Sequence, residues 1–106
     1  MITLCFERNE GESIRLSASG HAGAALRGMD PVCAGVTALC YTLAQCLLDQ
    51  RKLLREDPHI RIQSGTADMV ARPTREGMAA VEHTFRVVET GLRLLASNYP
   101  EHIKIQ

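Results

Sequence analysis

A cysteine and a histidine at the two ends of a short, glycine-bearing stretch are the residues whose chemistry stands out in this sequence. Cys33 follows Asp30-Pro31, a helix-start signal in which Asp caps free backbone N–H groups and Pro suits the first helical position. The thiol therefore belongs to a first helical turn, close to unpaired N–H groups and the positive end of the helix dipole, and both favour thiolate over thiol. Asp30 works against this unless its carboxylate is engaged in capping. His21 stands at the other end of the stretch, where a strand exits. A neutral imidazole there can take the thiol proton and later protonate a leaving amine. The first-turn amides, that of Cys33 included, are candidate oxyanion donors. Thr37, one turn below Cys33, is a candidate to orient the thiol or a substrate carbonyl, or else to back-bond within its helix. On spacing alone, Cys33 also fits a small buried hydrophobe, and His21 fits an ordinary loop histidine.

The elements that must position this pair follow from periodicity. Ile2, Leu4 and Phe6 alternate with polar or small neighbours, as do Ile14, Leu16 and Ala18, and the polar run of residues 8–12 between them predicts a β-hairpin. Residues 19–29 are small and hold Gly20, Gly23 and Gly28, which predicts a mobile loop with little to bury. From Asp30, Val32, Val36, Leu39, Leu43 and Leu47 recur at helical spacing, and the polar face of Thr42, Gln45, Asp49, Lys52 and Glu56 continues the helix until Pro58 stops it. Residues 59–63 alternate as a strand, Ser64-Gly65 makes a turn, and residues 67–72 form a shorter strand ending at Pro73. Met78, Val81, Phe85, Val88, Leu92 and Leu95 mark a second long helix, and residues 102–106 a last strand. The segments HIRIQ and HIKIQ, at 59–63 and 102–106, are near-copies, which similar half-buried strands in similar surroundings explain more simply than a duplication. The order β-β-α-β-β-α-β predicts an α+β two-layer sandwich, a mainly antiparallel sheet covered by two long helices, in a single domain over residues 1–106.

Composition narrows the function classes. The 106 residues carry 12 Lys and Arg against 12 Asp and Glu, with 45% hydrophobic residues, 4% aromatics and no Trp. That is one globular domain with an aliphatic core. The balanced charge lacks the basic stripe that nucleic acid demands. No apolar run approaches a membrane span, and the first residues reach charge by Glu7 without a signal-peptide pattern, so a cytoplasmic protein without nucleic-acid or membrane partners is expected. Cys5, Cys33, Cys40 and Cys46 show neither CxxC spacing nor a Cys/His ligand set, so reduced thiols and no metal or other cofactor are expected. Cys40, two turns below Cys33, reads as core, and the remaining histidines, His59, His83 and His102, are assigned no role.

With these residues in place, a family likeness emerges. Gly20-His21-Ala22, then Gly28, Asp30 and Val32-Cys33-Ala34 with Val36 and Leu39, resemble the bacterial ribosomal-processing cysteine proteases, whose pattern is GHA, a short spacer, then G-x-D-x-V-C-A-A-V-S and a leucine. The match is dense over residues 20–39. The resemblance implies a homodimeric cysteine endopeptidase that removes a short N-terminal extension from the large-subunit ribosomal protein numbered twenty-seven. By that likeness Cys33 is the nucleophile, His21 the general base, Asp30 and Thr37 supporting residues, and the loop of residues 22–29, with Gly20, Ala22, Gly23 and Gly28, the element that orders around substrate. Two positions depart from the pattern: Gly35 stands where alanine is usual and Thr37 where serine is usual, and either change can reshape a pocket wall. The competing readings are a relative that processes a phage capsid or scaffold precursor, and a non-catalytic peptide-binding module. A thiol-redox role is weaker, because Cys40 lies about 10 Å from Cys33 along a rigid helix, too far for a disulfide.

Overall fold

Alternation of apolar and polar residues sets the sheet. In the computed structural model, which describes residues 1–23 and 30–106, β1 (Ile2–Asn9) and β2 (Ser13–Gly20) form the leading hairpin, followed by α1 (Pro31–Asp49), β3 (His59–Gln63), β4 (Thr66–Ala71), α2 (Met78–Asn98) and β5 (Ile103–Ile105). The strands lie in the order β3-β4-β2-β1-β5. All neighbours are antiparallel except β1 and β5. This is the expected α+β sandwich, in the expected element order.

Register lines the inward residues up in rows across the strands. One row reads Phe6, Leu16, Met69, Ile60, and the next Ile105, Leu4, Ala18, Ala67, Ile62. Leu4, Leu16 and Met69 are fully buried, and both helices lay their apolar stripes on this face: Val32, Val36, Cys40, Leu43 and Leu47 from α1, and Val81, Phe85, Val88 and Leu92 from α2. Where Ala18 and Ala67 replace the bulk of Leu16 and Met69, the sheet cannot fill the space beneath the first turns of α1. A cleft opens there.

The two near-copies, 59–63 and 102–106, fall on the two edges of the sheet. Each buries its isoleucines at least in part and turns a cation outward, Arg61 or Lys104, which blunts an open strand edge. One pairs antiparallel and the other parallel, so edge position, with its half-burial and its need for charge, accounts for the likeness.

Three expectations need correction. The first helix ends at Asp49 rather than running to Pro58; a single 3-10 turn, Arg51–Leu53, follows. Here the chain trades helical bonds for tertiary ones, since Arg55 N–H donates to the Arg72 carbonyl, Thr74 N–H to the Leu53 carbonyl, and Leu54 is buried beside Pro73. The leading hairpin's second strand extends to Gly20, so the stretch between strand and helix is shorter than expected. Finally, α1 is long and apolar enough by length and composition to cross a membrane; it packs on two sides, against the sheet and against α2. On the second side the helices interlock through paired glycines. A Cβ on Gly35 would lie 3.1 Å from Leu95 Cδ1, and one on Gly91 would lie 3.0 Å from Leu39 Cδ2. Gly35 thus serves the helix–helix contact and is no pocket wall.

The outer side of α2 is tied to the sheet by charge. Arg8 reaches Glu82 at 3.2 Å and Glu89 at 3.0 Å, Arg93 reaches Glu89 at 2.9 Å, and the Arg93 guanidinium lies 5.3 Å over the Phe6 ring. Burial by itself pushes the Glu89 carboxyl up, but the hydrogen bonds from Arg93 and Arg8 outweigh it and hold the carboxyl below its ordinary value of 4.5. A carboxylate lowered on folding stabilises the protein above its ordinary value and loses that contribution as pH falls through the lowered one. Wild type is therefore expected to exceed Glu89→Gln in urea midpoint at about pH 6, with the gap narrowing as pH falls below the carboxyl's ordinary value. A gap that persists at the acid end would show that Glu89 acts through packing instead.

Candidate active site

The first turn of α1 is built as its sequence foretells. Asp30 is buried, with extended backbone, and its Oδ1 accepts the N–H of Val32 at 2.9 Å and of Cys33 at 3.1 Å. Pro31 has no N–H, and the Ala34 N–H goes to the Asp30 carbonyl at 3.0 Å. Every first-turn donor is thereby engaged. The expectation that the Cys33 amide supplies an oxyanion donor is corrected: the Asp30 side chain holds it.

A different amide faces the sulfur. The chain leaves β2 through Gly20, turns at His21, and brings the Ala22 N–H to 3.3 Å from Cys33 Sγ. Ala22 is buried within the core cluster, in a stretch expected to have little to bury. Its carbonyl accepts a hydrogen bond from His102 Nδ1 at 2.9 Å. The His21 carbonyl accepts from the Met1 ammonium. The rest of the expected loop, residues 24–29 with Gly28, lies outside the described residues.

His21, Asp30, Cys33 and Thr37 line one cleft of about 660 Å³, together with Gly20 and Gly23. Its floor is Ile2, Ala18 and Ala67 from the sheet and Val36 and Cys40 from α1. Its far wall is the β3–β4 turn, Ser64 and Gly65, and Tyr41 closes the side along α1. This is a largely apolar cleft whose lining includes a thiol and an imidazole, the few polar groups on an apolar wall that a ligand site presents. Thr37 is exposed, and among the described residues it makes no back-bond to the preceding turn of the kind that Thr42 makes to the Ala38 carbonyl. Its hydroxyl is left to the cleft.

Gly65 sets the position of the imidazole. It has φ +76, and a Cβ there would lie 3.0 Å from His21 Nε2, while its carbonyl accepts the Gly20 N–H at 2.9 Å. Gly65→Ala is expected to cost about 1–2 kcal/mol for the left-handed backbone and to displace the His21 ring. Turnover should fall about tenfold or more, read as kcat at a denaturant-free temperature well below melting. An alanine variant with wild-type kcat would mean that the ring has no fixed relation to this turn.

Reading along the chain missed three contributors. The Ser64-Gly65 turn is plain in the sequence, but nothing local ties it to residues more than forty positions away. Tyr41 sits on the polar side of α1 and looks like surface. His102 is separated from Ala22 by 80 positions, and only the parallel pairing of β5 with β1 brings it there. Two of the other cysteines have thiols raised by their surroundings. Burial pushes the Cys40 thiol up to about 11. The Cys5 thiol, on the outer sheet face, is raised by burial and by Glu7 at 3.5 Å.

Comparisons with known proteins find the same fold. A ribosomal processing protease Prp from S. aureus bound to a covalently linked product peptide superposes with a TM-score of 0.74 at 21% identity, covering 100% of this chain and 98% of that one. The S. aureus protease with a substrate peptide gives 0.69 at 21% identity, with the same coverage. SMU.848 from Streptococcus mutans gives 0.72 at 26% identity, covering 100% of this chain and 92% of the other. A comparison with curated proteins gives no match. The family model described as cysteine protease Prp matches residues 1–104, which takes in both helices, the first four strands, most of β5 and the whole cleft, so this chain belongs to the cysteine protease Prp family.

Proposed function

We propose that the chain is a ribosomal-processing endopeptidase in which Cys33 is the nucleophile and His21 the general base, and that its substrate is the N-terminal extension of the large-subunit ribosomal protein numbered twenty-seven. The observation that carries the reading is the shared cleft: a half-buried thiol with an amide on its sulfur, and an imidazole lining the same apolar cleft. His21 takes the thiol proton, and the sulfur attacks the scissile carbonyl carbon. The protonated His21 then gives its proton to the leaving amine as the C–N bond breaks, leaving a thioester on Cys33. Water, deprotonated by His21, cleaves the thioester and restores the thiol. Asp30 supports this by holding the first turn of α1, and Thr37 by offering its hydroxyl to the bound peptide. Action as a cytoplasmic homodimer belongs to the same reading and rests on the family likeness.

The S. aureus structures, one with a substrate peptide and one with a covalently linked product peptide, support a peptide as the occupant of this cleft. The test incubates the protein and its Cys33→Ala variant with the host's extended ribosomal protein and reads the products by intact mass. A single N-terminal cut by wild type alone is expected. No cut by either protein would reject this substrate and turn attention to another precursor, such as a phage capsid or scaffold protein.

A further inference from the structure

The geometry points to His102 as a positioning residue for the nucleophile: its Nδ1–H holds the Ala22 carbonyl so that the Ala22 N–H stays aimed at Cys33 Sγ. This inference rests on the reading of Cys33 as the nucleophile.

A backbone carbonyl only accepts hydrogen bonds, so the 2.9 Å contact between His102 Nδ1 and Ala22 O requires the proton on Nδ1. Ala22 is thereby held at both of its polar atoms, by His102 at the oxygen and by the sulfur at the nitrogen, 3.3 Å away. His102 is itself fixed. Its N–H donates to the Tyr99 carbonyl at 3.0 Å, and its carbonyl accepts the Ile2 N–H at 2.9 Å. The side chain therefore projects from a rigid junction where α2 ends and β5 meets β1. The first-turn amides of α1 are all engaged elsewhere. Ala22 thus supplies the amide on the sulfur, and the orientation of that amide matters most while the sulfur is anionic, between proton loss and attack. Two residues on either side of this segment, Gly20 and Gly23, have positive φ; with glycine freedom on both flanks, an external clamp is what fixes the residue between them.

Three substitutions separate positioning from bulk. His102→Asn keeps an N–H at the place of Nδ1, His102→Gln moves it out toward the place of Nε2, and His102→Phe keeps the ring shape without a donor. The full-length protein is assayed for the rate of Cys33 alkylation by iodoacetamide, mapped by peptide mass so that the other cysteines are resolved, and for kcat and KM on the extended ribosomal protein. His102→Phe and His102→Gln are expected to slow alkylation and kcat about tenfold with KM little changed, and His102→Asn to recover to within about twofold of wild type. Equal rates in all three variants, or an equal loss in Asn and Gln, would overturn the inference; the two polar variants decide it even if the phenylalanine variant does not fold. If wild type alkylates in this His102-dependent way yet cuts nothing, the proposed substrate fails and the positioning stands. If wild type cuts and His102→Gln cuts equally well, the positioning alone fails.

Discussion

Alanine at position 33 is expected to lower cleavage by at least about 10⁴-fold, and alanine at position 21 by a similar factor, with neither variant losing its fold. Cys33 is half-buried and its sulfur accepts the Ala22 N–H, while His21 is exposed and lines the same cleft. Removing either leaves the apolar rows of the sheet and the helix interlock untouched, so thermal melting should move by no more than about 5 °C, the equivalent of about 1 kcal/mol in a domain this size. Because the two act as one unit, the double variant should be little slower than the slower single one. Additive losses would mean that the imidazole does something other than activate the thiol. Residual cleavage at the wild-type rate in Cys33→Ala would move the nucleophile elsewhere. Cys40, though it lines the floor of the same cleft, is no substitute, since burial holds its thiol at about 11 and two helical turns separate it from the mouth.

The parts of this site that were legible in the sequence are the ones fixed by short-range physics. Period-two alternation placed the strands because one face of the sheet is covered and the other is wet, and Asp30-Pro31 marked the start of α1 because the cap is local chemistry. What escaped was decided over longer distances. The polar face that seemed to carry α1 to Glu56 gave no warning that Leu53, Arg55 and Thr74 would exchange backbone hydrogen bonds across the end of β4. Gly35, read as a possible change in a pocket wall, turned out to admit Leu95 from the other helix. The oxyanion role offered to the Cys33 amide failed for a local reason that was itself visible: the same Asp30 that starts the helix consumes the amide. Ala22 is the most instructive case. It stands in a run of small residues and reads as loop, yet it is buried and touches the sulfur, while a parallel strand from the far end of the chain brings His102 to its carbonyl.

Gly20 combines stability and chemistry in one residue, and its replacement by alanine should show the opposite signature to the Cys33 variant. It pairs with Ile2 at the end of β2, with φ +96, and a Cβ there would stand 2.2 Å from the Met1 carbonyl oxygen. The obstacle is backbone, so no side-chain rotamer relieves it. Either β1 must move away at its first residues or Gly20 must leave its left-handed conformation. The first route pulls on the Ile2 N–H bond to the His102 carbonyl, and the second swings His21 away from Gly65. The left-handed backbone alone costs about 1–2 kcal/mol, and the overpacking adds about 1–3 kcal/mol, so melting should fall by more than about 10 °C. Below the lowered transition, where the fold persists, Cys33 alkylation should still be slowed, because both routes disturb the segment that carries His21 and Ala22. Gly20→Ala with wild-type melting and wild-type alkylation would show that the strand end yields freely, and that glycine beside the histidine is not required by the approach of the two strands. A loss of melting temperature with unchanged thiol reactivity would confine Gly20 to the sheet. Slowed reactivity in the folded variant, against the intact fold and lost activity of Cys33→Ala, would show that the strand junction and the nucleophile are mechanically one structure.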